Sequence, residues 1–159
     1  MRWKVLLSVL VVASIGNTAA MPAWMELQWF TPDADAFRSL VESPARTTLA
    51  GLFDIVVAAS YGALGWIGLR HHGRGAPVSR IAAWAVVVGA SFDQIENILV
   101  LRNVAAIETL TDGWVTAMRL PGTLSFVAAP AILLLYGYLI RTWLAHRRSV
   151  AIAAQSVHG

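Results

Sequence analysis

The sequence contains no cysteine, which excludes disulfides, thiolate metal sites, iron–sulfur clusters and thiol-based redox chemistry. Charge is scarce as well: 13% of residues are charged, against about a quarter in an ordinary soluble domain. Histidine occurs only at His71, His72, His146 and His158. All four lie outside the apolar runs, so no internal axial ligand for haem exists. The His71-His72 pair sits in a Gly/Arg-rich turn and reads as solvated loop, not as a metal site. No Gly-rich phosphate loop, nucleophile elbow or H-E-x-x-H is present. Neither a metal nor a cofactor is expected.

What the chain has in quantity is apolar surface. It is 57% hydrophobic over 159 residues, with a mean hydropathy of +0.63. A bilayer core takes about 20 apolar residues as a helix. Four segments qualify, at about 5–22, 49–69, 81–101 and 121–140, and lipid forces them into helices. The expected fold is all-α. Residues 1–159 form a single transmembrane domain, a four-helix integral membrane bundle.

Acids are missing from one side of that layout. The N-terminus carries Arg2 and Lys4, the second-to-third connection Arg70, Arg74 and Arg80, and the tail Arg141, Arg147 and Arg148. No carboxylate accompanies them. By the positive-inside rule both termini and that loop are cytoplasmic, so the pI near 10.0 is an orientation signal and not a nucleic-acid footprint. Trp3, Trp66, Trp84 and Trp143 fall near the inner boundary, and Trp24, Trp29 and Trp114 near the outer. Arginine over lysine, with abundant alanine, points to a bacterial inner membrane. The first span also has the layout of a signal peptide, with Arg2-Trp3-Lys4, an apolar run to Gly16 and the small-residue site Asn17-Thr18-Ala19-Ala20. We keep it as a span; the remaining topology is the same either way.

The first outer loop, about 21–48, is too long for a turn. Thr31-Pro32-Asp33 reads as a helix start, and Ala34, Phe37, Leu40 and Val41 share one face until Ser43-Pro44. A short amphipathic helix on the outer leaflet is expected.

Carboxylates inside a membrane helix are expensive, ~2.5–3.5 kcal/mol at the helix centre for Asp. The second span holds Asp54, and the third holds Asp93 and Glu96 followed by Asn97. Asp93, Glu96 and Asn97 stand at i, i+3 and i+4, on one helix face. Gln94 is turned about 100° away. Asp54 lies roughly 7 Å below the outer boundary at the helical rise. Asn17, Thr18, Thr123 and Ser125 fall at similar heights, with Arg102 and Arg119 at the rim. The inner half is nearly pure apolar. These positions predict a polar pocket opening outward and closed below.

Three readings of the pocket stay open. Crowded acids in low dielectric cannot all ionise, and a protonated carboxyl beside an ionised one is acid/base equipment. In that reading Glu96 is the protonated acid, Asp93 or Asp54 its ionised partner and Asn97 an orienting amide. Arg119, Arg102, Asn17 and Thr123 complete a binding site for a small lipophilic or amphipathic molecule. In the second reading the same groups only hold the helices together, as a structural or partner-binding subunit. The third, a small proton- or cation-coupled transporter, lacks ionisable groups along the inner half. Expected partners are membrane lipid and a second copy packed through Gly62, Gly65 and Gly68, with no nucleic acid. Pro121 and Pro130 are expected to start or kink the fourth span.

Asp93-Gln94-Ile95-Glu96-Asn97-Ile98-Leu99 resembles a D-x-x-E-N-x-L pattern of uncharacterised four-span bacterial membrane proteins. That resemblance implies the layout above and no known activity. In size, and in burying acids within four helices, the chain is also distantly similar to sterol isomerases and sigma-2-type proteins. That similarity implies a lipophilic ligand.

Overall fold

A computed structural model describes residues 2–20, 27–28, 31–73 and 76–156. Trp24, Glu26, Trp29 and Arg74 lie outside the described residues, as do the side chains of Trp3, Trp143, Arg147 and Arg148. The helices are α1 (Arg2–Ala20), α2 (Ala34–Leu40), α3 (Pro44–His72), α4 (Pro77–Ala105), α5 (Asp112–Ser125) and α6 (Ala129–Ser156).

Three runs are long and apolar enough to cross a membrane: Pro44–His72, Pro77–Ala105 and Asp112–Thr142. The first apolar helix is shorter, Leu7–Ala20. Ser43 caps α3 by accepting from the Arg46 N–H, with Pro44 in the first turn. Pro77 likewise stands in the first turn of α4, which has no side-chain cap. Both helices therefore begin before the apolar stretches that announce them. The last run starts earlier still, at Asp112, so Pro121 lies inside a helix and not at its start. A 3-10 turn at Phe126–Ala128 interrupts the run just before Pro130, which has no N–H to continue the ladder. The outward faces stay apolar, with Ile81 70% and Leu133 71% exposed. In water such faces would be a liability; in lipid they are the solvated surface.

The helix in the loop at 21–48 forms, at what the charge pattern makes the expected outer end of the bundle, but starts later than its sequence suggests. Asp33 is the cap, accepting from the Ala36 N–H at 2.8 Å. Thr31 is buried, and its hydroxyl donates to the Leu27 carbonyl at 2.8 Å. Asp112 accepts from the Ala34 N–H at 2.9 Å, tying the α2 start to the α5 start. Phe37 and Val41 then pack with Val100, Val104, Val115 and Met118. The apolar face of α2 is thus covered by the ends of α4 and α5.

α4 is the central helix, packed against α3, α5, α6 and the 3-10 turn, while α1 packs on α3. Close approach is bought with glycine. An added Cβ at Gly65 would stand 2.5 Å from Val86, at Gly62 2.9 Å from Ala90, and at Gly68 2.7 Å from Leu135. The glycine face expected to meet a second copy is therefore used inside the chain, against α4 and α6. Gly65→Ala should lower the thermal transition, at a cost of about 1–3 kcal/mol for overpacking. Adding Val86→Ala should recover part of it. A double-mutant cycle measures the coupling.

Candidate functional site

Two apolar clusters fill the bundle at different heights. The outer one contains Leu27, Phe37, Ala50, Val100, Val115 and Met118. The inner one contains Leu69, Ala82, Ala83, Val86 and Ala131. Between them lies a polar layer contributed mainly by Asp54 and Tyr61 of α3 and Asp93, Glu96 and Asn97 of α4.

Asp93, Glu96 and Asn97 share one side of α4, yet each turns to a different neighbour. The Tyr61 hydroxyl donates to Asp93 Oδ2 at 3.1 Å. Asn97 is fully buried, and its Oδ1 accepts from Gln28 Nε2 at 2.9 Å. The same Gln28 amide reaches Asp54 Oδ2 at 3.5 Å. Glu96 turns to α5, where its carboxyl rests against Gly122. A Cβ on Gly122 would lie 2.5 Å from Glu96 Oε1 and 2.6 Å from Oε2. Asp54, Asp93 and Glu96 are close enough to act electrostatically on one another.

The layer is incompletely paired. Glu96 is 1% exposed, and among the described residues neither of its oxygens has a hydrogen-bond donor. Asn97 Nδ2 and Arg119 Nε are likewise buried without an acceptor. Each such group costs about 1–3 kcal/mol, and native interiors leave few of them. Among the described residues no three His, Asp or Glu side chains converge as metal ligands do.

The remaining sequence candidates sit around this layer, with Arg119 at its edge. Asn17 is buried on α1 and donates to the Ala50 carbonyl at 3.1 Å, one turn outward from Asp54. Arg119 donates through Nη2 to the Thr31 carbonyl, fastening α5 to the outer segment. Arg102 stacks on Trp114, its guanidinium carbon 3.4 Å from the ring centroid, and donates to Asn103 Oδ1 at 3.2 Å. Thr123 is exposed and returns its hydroxyl to the Arg119 carbonyl, within its own helix. Gln94 points away as its spacing requires, donating to the Ile55 carbonyl at 2.7 Å. Glu96 and Asn97 are buried, beside Gln28 and below the cluster that holds Phe37, Val100 and Met118.

Four residues escaped the sequence reading, Tyr61 among them, since a tyrosine in the nearly apolar half of a span reads as packing. Gln28 carried one signal, an amide within the apolar stretch Leu27-Gln28-Trp29-Phe30. Asn103 is fully buried, and its amide is 3.5 Å from the Trp114 carbonyl. Gly122 carried no signal, because a lone glycine after Pro121 reads as helix punctuation.

Compared with known proteins, the chain matches no family model, no curated protein and no solved structure. The geometry alone therefore carries the functional argument.

Gly122→Ala should push the Glu96 carboxyl out of place and lower the thermal transition by the equivalent of about 1–3 kcal/mol. Combined with Glu96→Ala, the same change should be nearly neutral, because the atoms it meets are gone. Thermal melts of the four proteins in detergent measure this non-additivity.

Proposed function

We propose that the chain is a multi-pass protein of the bacterial inner membrane, with α1 as a fourth crossing helix, α2 near the outer leaflet and both termini inside. In this reading the polar layer binds a small lipophilic or amphipathic molecule. Glu96 accepts a hydrogen bond from it, while Asn97 Nδ2 and Arg119 Nε donate to it. Asp93, held by Tyr61, and Asp54, within reach of Gln28, place two further carboxyls beside the bound molecule. Acid/base conversion of that molecule by Glu96 with Asp93 or Asp54 uses the same arrangement.

The observation that carries this reading is the fully buried Glu96 carboxyl, which has no hydrogen-bond partner among the described residues. A cluster whose work is to hold helices together gains from closing every hydrogen bond, since a half-satisfied network is worse than an apolar core. The rival reading, structural glue, draws on the Tyr61–Asp93, Gln28–Asn97 and Asn17–Ala50 bonds. Those bonds leave Glu96 out.

The test compares wild type and Glu96→Gln in detergent, with and without membrane lipid extract. The extract should raise the wild-type thermal transition by several degrees, as about 2.7 kcal/mol of linkage at a hundredfold excess over Kd would. Glu96→Gln should lose that rise while melting no earlier than unliganded wild type. If the extract does nothing and Glu96→Gln simply melts earlier, the cluster is glue.

A further inference from the structure

On the face of α3 and α4 that Gln94 shares, turned away from the acid side chains, the two helices leave a groove of about 630 Å³ between them. Gly62, Ala63 and Ala90 keep it open, and Trp66 and Trp84 wall one end. The two indoles meet edge to face, 4.9 Å between centroids at 70°. α3 and α4 run antiparallel, so Trp66 and Trp84 share a height near the inner end. Gln94 marks the other end, about 15 Å further along at the helical rise. The polar side chains on its wall are already answered, Gln94 by the Ile55 carbonyl and Ser91 by the Val87 carbonyl. The groove therefore offers an apolar wall about as long as a lipid chain segment.

Its inner mouth is basic. Arg70 stands one turn inward from Trp66, its guanidinium carbon 5.1 Å from the ring centroid. Arg80 stands one turn inward from Trp84 and is exposed. Among the described residues the ion pair is Arg38–Asp35, at the far end of the molecule. Every Asp and Glu of the sequence lies in the expected outer half or its loops, so no acidic side chain at this end neutralises Arg70 and Arg80. A guanidinium stacked on an indole keeps its in-plane N–H groups free for a phosphate.

We infer that this groove holds one acyl chain of an anionic phospholipid, whose phosphate meets Arg70 and Arg80. A second copy of the chain is a poorer occupant. Copies insert in one orientation, so a partner on this face would bring its own basic end level with Arg70 and Arg80. Like charges would meet with no acid between them. A lipid supplies the missing negative charge at that depth, as basic sites at membrane-helix ends do generally. The site is separate from Glu96, and its failure would leave the reading of that cluster untouched.

The experiment equilibrates the full chain in mild detergent with equal phosphatidylglycerol and phosphatidylcholine of matched acyl chains, and counts retained lipid by native mass spectrometry. Wild type should keep one phosphatidylglycerol per chain, at least tenfold over phosphatidylcholine. The double variant Arg70→Gln/Arg80→Gln should lose that preference, and Arg70→Lys/Arg80→Lys should keep most of it. Ala63→Phe, which fills the groove, should release lipid of either headgroup. Thermal melts confirm that each variant folds, and the single variants Arg70→Gln and Arg80→Gln, each expected to weaken the preference, serve where the double variant does not. Equal retention of both lipids by wild type would overturn the inference. So would phosphatidylglycerol retention unchanged in a folded glutamine variant, or a wild-type dimer that Ala63→Phe converts to monomer.

Discussion

A carboxyl buried in a membrane protein has to be answered by the protein itself, because hydrocarbon offers neither donors nor acceptors. Helix α4 makes that demand through Asp93 and Glu96, with the amide of Asn97 beside them, and the bundle is arranged around the replies. Tyr61 comes from α3 and Gln28 from the outer segment. From α5 comes only the bare backbone of Gly122. The first two replies are hydrogen bonds. The third is space, and that asymmetry distinguishes Glu96 from its neighbours.

The apolar packing serves the same arrangement. α4 can touch four neighbouring elements because small residues line its contacts. Gly65 lies against Val86 on the inner side, and Gly89 lies against the 3-10 turn, where a Cβ would stand 2.7 Å from the Ser125 carbonyl. That turn is where Pro130 breaks the last run. The Ser125 hydroxyl donates back to the Gly122 carbonyl at 2.7 Å, linking the break to the residue that faces Glu96. Outside the layer, Arg38 gathers the loop ends by donating to the Ile107 and Leu110 carbonyls. It fixes the outer segment that carries Gln28.

The sequence made legible whatever depends on period and hydropathy. Three long apolar runs, the shared side of α4 for Asp93, Glu96 and Asn97, and the turn of Gln94 away from them all follow from helical spacing and the cost of charge in lipid. The helix ends were half legible. Ser43-Pro44 reads correctly as a boundary, but Thr31 resembles a cap and yields to Asp33, because Thr31 is drawn into the core by the Leu27 carbonyl. Long-range pairing was not legible. The Gln28–Asn97 bond joins residues 69 apart, and no local pattern encodes it. Arg102 reads as a rim cation, yet Trp114 claims its guanidinium by stacking. The three-way fan of Asp93, Glu96 and Asn97 also depends on neighbours, since one helix face leaves room for several directions.

In the proposed reading Glu96 is kept for what it binds and not for what it holds together. The most direct measurement is the stability of unliganded Glu96→Leu against wild type, by reversible unfolding in detergent. Removing a buried carboxyl that has no partner among the described residues should leave stability equal or higher, as replacing buried polar groups by packed apolar ones often does. A loss of about 3–5 kcal/mol, the penalty for breaking a buried, fully paired charge, would contradict it.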